Sequence, residues 1–155
     1  MTSASASGKA ITTKKMFSRE TVVRITIGAD KAIIWNLLTN AKDYARWNST
    51  IISINGTIGK EEKIILKSKL DPKREFKLTV KEFDVNNRLV WGDAMGERVF
   101  LLTDAGDGFT DFSMTEKMGG PLFPLFAKMI PPFDEAFETF ARDLKREAET
   151  KMNAW

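Results

Sequence analysis

Three polar side chains in this sequence are placed to do chemistry: Glu116, Arg98 and Tyr44. In the run from Phe109 to Met118, the residues Phe112, Met114, Glu116 and Met118 share one face at the period of two that a strand imposes. Glu116 therefore points the same way as three large apolar side chains. A carboxylate desolvated among such neighbours has a raised pKa and can act as an acid or base, or can orient a ligand. The competing reading places Glu116 near a rim, paired with a basic residue such as Arg98. Arg98 alternates with Phe100 and Leu102, so it too can face inward. A buried guanidinium must be paired, either with Glu116 or with a ligand carboxylate or phosphate bound bidentately. Tyr44 is the only tyrosine. Its phenol can donate to a ligand carbonyl, or it can pack as part of a lid.

Composition removes several kinds of chemistry. The chain has no Cys and no His. It therefore carries no disulfide framework, thiolate nucleophile or zinc-thiolate site, and no Ser-His-Asp or Cys-His triad can be built from it. No metal site and no cofactor are expected. Asp104-Ala105-Gly106-Asp107-Gly108 lacks the spacing and the closing Glu of a calcium loop and reads as a hairpin turn. Lys9, Lys14 and Lys15 account for the whole net charge of +3, leaving the rest of the chain formally neutral. The basic stripe of a nucleic-acid-binding domain is missing from the body, so no nucleic-acid partner is expected. No run of about eighteen apolar residues is present, so no stable membrane insertion is expected. Residues 1–15 are rich in Ser, Ala, Thr and Lys without the apolar stretch of a secretory signal. They read as a disordered tail, and the cytoplasm is the expected location.

The remaining 16–155 read as a single domain. From Phe17 to Gly28, Val23, Ile25 and Ile27 alternate with Val22, Arg24 and Thr26, a strand pattern. Asp30 is a candidate N-cap for a helix over 31–39, and a second short helical piece covers 41–46. Six strand-like runs follow: 50–55, 62–70, 74–83, 88–93, 97–103 and 109–118. Short connections make them an antiparallel meander. Asn86-Asn87 suits the positive φ of a tight hairpin. After Gly119-Gly120-Pro121, a partly helical stretch leads to Pro131-Pro132, where a long helix is predicted to start and to run to about Lys151. Phe133, Phe137, Phe140, Leu144 and Ala148 form its apolar stripe. The fold class is α+β. A seven-stranded antiparallel sheet wraps around a long C-terminal helix, with two short helices after the first strand. One helix cannot fill a wide curved sheet, so an apolar cavity is expected between them.

Three stretches carry a resemblance to a known superfamily. They are Ala29-Asp30-Lys31-Ala32-Ile33-Ile34-Trp35-Asn36-Leu37-Leu38-Thr39, Tyr44-Ala45-Arg46-Trp47-Asn48, and Thr115-Glu116-Lys117-Met118-Gly119-Gly120-Pro121-Leu122-Phe123-Pro124-Leu125. With the order of elements over 18–149, they resemble the helix-grip START-related (SRPBCC) superfamily, and most closely its polyketide cyclase/dehydrase-like branch. The resemblance implies a ligand pocket between sheet and helix. It leaves function open, because such proteins bind lipids, carry hydrophobic metabolites, assist other proteins or catalyse cyclisation. The first expectation is a binder or carrier of a hydrophobic small molecule. The second is a cyclase or dehydratase using Glu116, Arg98 and Tyr44. The third is a protein-interaction module, marked by an exposed apolar patch. Candidate pocket walls are Trp35, Trp47 and Trp91 on the early elements, then Phe100, Phe112, Met114 and Met118 on the last strands. Phe126, Ile130, Phe133 and Phe137 complete them from the final segment, with Tyr44, Arg98 and Glu116 as the polar members.

Overall fold

A computed structural model describes residues 6–154. Eight strands form one antiparallel sheet: β1 (Ser7–Lys14), β2 (Ser18–Ile27), β3 (Ile51–Gly56), β4 (Lys63–Ser68), β5 (Asp71–Asp84), β6 (Arg88–Gly92), β7 (Gly96–Gly106) and β8 (Phe109–Gly119). Their spatial order is β1-β2-β8-β7-β6-β5-β4-β3. Between β2 and β3 lie α1 (Lys31–Thr39), a 3-10 turn (Ala41–Asp43) and α2 (Tyr44–Trp47). After β8 come the single turn α3 (Phe123–Phe126), a 3-10 turn (Ala127–Met129) and α4 (Asp134–Met152). This is the helix-grip arrangement: the six-strand meander and β2 curve around α4.

The strand count corrects the expectation of seven. Ser7–Lys14, read as part of a disordered tail, pairs in register with β2, for example Thr12 with Thr21 and Lys14 with Arg19. The rest of that tail, 1–5, lies outside the described residues. β1 escapes a hydrophobicity pattern because polar bonds hold much of it. The Ala10 amide donates to Glu138 Oε2 at 2.9 Å, and Thr12 bonds both Thr21 and Asp134. The strand is thus stitched along α4 by side chains as much as by burial.

Other local expectations hold with small shifts. Asp30 is the N-cap of α1, yet its side chain makes no capping bond. The β4–β5 turn falls at Lys69-Leu70, and Asp71-Pro72 already belongs to β5. Proline is tolerated there because β6 pairs with β5 only from Thr79 onward, so that side of Pro72 has no ladder partner to lose. Asn86 takes φ +68 in the β5–β6 hairpin, as a short polar residue can. α4 begins at Asp134, not at the prolines, and Phe133 occupies its cap position. Its first turn carries Asp134 and Glu135, and Lys151 lies in its last, both favourable for the helix dipole.

The core lies between the concave sheet face and α4. Val23, Ile25 and Ile27 of β2, Phe112 and Met114 of β8 and Phe100 and Leu102 of β7 meet Phe137, Phe140, Leu144 and Ala148 of α4. Trp35, Leu37 and Leu38 of α1 close one end.

Candidate functional site

The cavity expected between sheet and helix exists but is small, about 40 Å³. Its wall comes from the β3–β4 hairpin (Thr50, Ile51, Leu66, Ser68), from the β4–β5 turn (Leu70), from β7 and β8 (Arg98, Met114) and from the start of α4 (Phe133, Ala136, Phe137, Phe140). That volume holds little more than water, whereas pockets for drug-sized ligands run to about 300–1,000 Å³. The space is taken up by rings. Phe140 lies 6.2 Å from Tyr44, 5.9 Å from Trp47, 6.0 Å from Phe100 and 6.4 Å from Phe112 between centroids. Trp91 packs edge-on to Phe100 at 4.8 Å.

Of the predicted wall residues, Arg98, Met114, Phe133 and Phe137 do line the cavity. Tyr44, Trp47, Trp91, Phe100 and Phe112 are buried in the ring cluster behind it. Trp35 packs against Phe83 of β5 at 5.1 Å, away from the wall. Met118 lies opposite Arg19 and Gly96 in the sheet ladder. Phe126 is 41% exposed, and Ile130 offers its carbonyl to Arg19. Thr50, Ile51, Leu66, Ser68, Leu70, Ala136 and Phe140 line the cavity and were not among the predicted residues. For β4 the signal was present, since Leu66, Ser68 and Leu70 continue the inward alternation begun by Ile64.

The three polar candidates come together in one respect only. Arg98 and Glu116 are directly opposite in the β7–β8 ladder, and Arg98 Nε donates to Glu116 Oε1 at 3.0 Å. Their side chains are 17% and 15% exposed. The Arg98 guanidinium also sits 4.9 Å over the Phe137 ring, a cation–π contact. Burial pushes the Glu116 carboxyl up, and the charge and hydrogen bond of Arg98 pull it down; the net direction is up. Glu116 is not itself on the cavity wall, so Arg98 is the charged group that faces it. Tyr44 is committed elsewhere. Its hydroxyl donates to the Leu38 carbonyl at 2.8 Å, and burial raises its pKa far above the phenol range. It braces α1 against α2 and has no free proton for a ligand.

A second polar group fixes the β3 side of the wall. Asp143, buried on α4, accepts from both the amide and the hydroxyl of Ser49 at 2.7 Å. Asn48 Oδ1 then holds the Thr50 amide and hydroxyl. The sequence offered one hint, an acid at position 143 immediately before the stripe residue Leu144. Asp143→Ala is expected to cost about 2 kcal/mol in a urea titration, because the Ser49 amide and hydroxyl lose their acceptor. The side-chain nitrogens Trp47 Nε1 and Asn48 Nδ2 are buried next to this turn without a hydrogen-bond partner. Among the described residues, no group of three His, Cys, Asp or Glu side chains is arranged to hold a metal.

No family model matches the chain, and no curated protein matches it. Solved structures do. A conserved protein of unknown function from Enterococcus faecalis superposes with a TM-score of 0.68 at 16% identity, covering 94% of this chain and 80% of that one. A START superfamily protein from Mycobacterium smegmatis gives 0.62 at 15% identity, over 85% and 98% of the two chains. A norcoclaurine synthase point mutant from Thalictrum, solved with a transition-state analogue, gives 0.66 at 8% identity, over 90% and 99%. Likeness at such low identity speaks to architecture, and together with the sheet order and the gripped α4 it shows that this chain has the helix-grip fold that the START superfamily protein and the norcoclaurine synthase also have.

Proposed function

We propose that the chain binds a hydrophobic small molecule between the sheet and α4, with an acidic group of that molecule turned toward Arg98. The observation that carries this reading is the composition of the cavity wall: mainly apolar, with a single charged side chain. Arg98 gives its Nε to Glu116, and its terminal nitrogens make no hydrogen bond to the described residues. Such a fork suits a carboxylate or sulfonate. The volume of about 40 Å³ means a ligand must push side chains aside. Leu70 at the β4–β5 turn and Phe133 after the two prolines stand at the margin, and neither is fully buried.

The test is a titration with 1-anilinonaphthalene-8-sulfonate, an apolar body carrying one anionic group. One-to-one binding with enhanced emission is expected. Ala136→Phe, which places a ring in the cavity, should weaken it at least about tenfold. Binding that ignores Ala136→Phe, or no saturable binding at all, would remove this reading. A cyclase or dehydratase reading asks for a free acid or base at the wall. Glu116 is engaged by Arg98 and Tyr44 by Leu38, so the observations favour binding over turnover.

A further inference from the structure

We infer that the end of the molecule built from the β1–β2 turn and the segment between β8 and α4 docks on an anionic lipid surface. Six of the eleven exposed large hydrophobic residues among those described fall in these two short pieces. Met16 and Phe17 stand at the hairpin turn, 74% and 53% exposed. Leu122, Leu125, Phe126 and Met129 follow on α3 and its flanks, at 62%, 72%, 41% and 78%. Scattered single hydrophobics on a surface need no explanation, but a cluster does.

The two pieces are held side by side. The Gly120 amide donates to the Phe17 carbonyl at 3.0 Å. Gly120 has φ +131, a conformation L side chains rarely adopt, so the chain turns sharply as it leaves β8. From β2, the buried Arg19 reaches across and donates to the carbonyls of Ala127 and Ile130 at 3.1 and 3.2 Å. Burying a guanidinium is costly unless its donors are used; the two terminal nitrogens of Arg19 are, while its Nε is buried without a partner. Here it clamps the segment by its backbone, Phe123 turns inward as the segment's buried anchor, and Leu122, Leu125, Phe126 and Met129 are left exposed.

Charge selects the occupant. Lys14 and Lys15 immediately precede Met16, and Lys128 sits beside Met129, all exposed. At the β4–β5 turn, exposed Lys69, Lys73 and Arg74 surround Leu70, which shares the cavity wall with Phe133 at the far end of the same segment. Exposed acids nearby are Glu75, Glu135 and Asp93; the Asp93 carboxylate accepts the Met95 and Gly96 amides in the β6–β7 turn, while Asp134 is bonded to Thr12. Projecting apolar side chains ringed by cations fit the interface of a bilayer with anionic headgroups, which needs no matching pocket. The net charge of +3 gains a location by this account, since Lys14 and Lys15 lie at the docking end. No helix among the described residues is long and apolar enough to cross a membrane, so the contact is peripheral.

The test is co-sedimentation of the full chain with vesicles of phosphatidylcholine alone or mixed with phosphatidylglycerol. Binding is expected to the mixed vesicles and to fall with added salt. Leu125→Asp with Met129→Asp should weaken it at least about tenfold, and Lys14→Ala with Lys15→Ala about twenty-five-fold, roughly fivefold for each lysine. These side chains are exposed, so the variants should keep the parent melting temperature. Leu125→Asp should also leave the anilinonaphthalene sulfonate titration unchanged, which separates this surface from the cavity. No binding to mixed vesicles, or binding indifferent to both variant pairs, would overturn the inference. So would a dimer in solution that Leu125→Asp dissociates, because the patch would then be covered by a second copy of the chain.

Discussion

Phe140→Ala is expected to lower stability by about 4 kcal/mol and, at the same time, to create a binding site. Phe140 is 1% exposed and central to the rings that occupy the grip. It faces Tyr44, Trp47, Phe100 and Phe112, all between 5.9 and 6.4 Å by centroid. Truncation loses the transfer free energy of the ring, part of each aromatic pairing, and the packing around the void. Because Phe140 also lines the existing cavity, the new void joins the about 40 Å³ already present. Apolar voids of this kind stay dry and admit small apolar molecules. Urea titrations should show the destabilisation, and added benzene or indole should recover part of it by mass action. Recovery by ligand would mark the ring cluster as the plug of an otherwise conventional pocket. A loss below about 1 kcal/mol would mean that the surrounding rings close over the gap.

That ring cluster also explains what could and could not be read from the sequence. Alternation in 17–28 and 109–118, hairpin residues such as Asn86, and the stripe from Phe133 to Ala148 each encode a local period, and the elements followed from them. The pairing of Arg98 with Glu116 was legible for the same reason: two inward positions on consecutive strands of a meander. β1 was not legible, because Thr12 and Ala10 are held by Asp134 and Glu138 more than 120 residues away. The size of the cavity was not legible either. It depends on how Tyr44, Trp91, Phe100 and Phe140 interdigitate from four separate elements, and no periodicity records that. Phe126 failed as a wall residue for a related reason. The Arg19 clamp on the Ala127 and Ile130 carbonyls fixes the backbone of its segment, and that placement leaves Phe126 41% exposed.

Arg98→Met should expose the cost of keeping Glu116 in the grip, and should do so in a pH-dependent way. In the parent, burial raises the Glu116 carboxyl and Arg98 opposes that rise through its charge and its hydrogen bond. A carboxyl whose folded pKa exceeds its unfolded value binds more protons in the folded state between the two values. Stability is then full below the unfolded value, near 4.5, and falls as pH climbs through the folded one. Removing Arg98 takes away both opposing influences, so the folded value moves further up and the window of loss extends toward neutrality. The variant is therefore expected to resemble the parent in acid and to lie about 3 kcal/mol below it near neutral pH, where a charge is left unpaired. Adding Glu116→Gln to Arg98→Met should recover most of that loss and flatten the pH profile. Urea midpoints taken across the acid-to-neutral range read both effects. If the single variant showed a flat profile, water would be reaching Glu116 freely once Arg98 is gone. The β7–β8 end of the grip would then be open to solvent, and the case for an apolar site closed around Arg98 would fail with it.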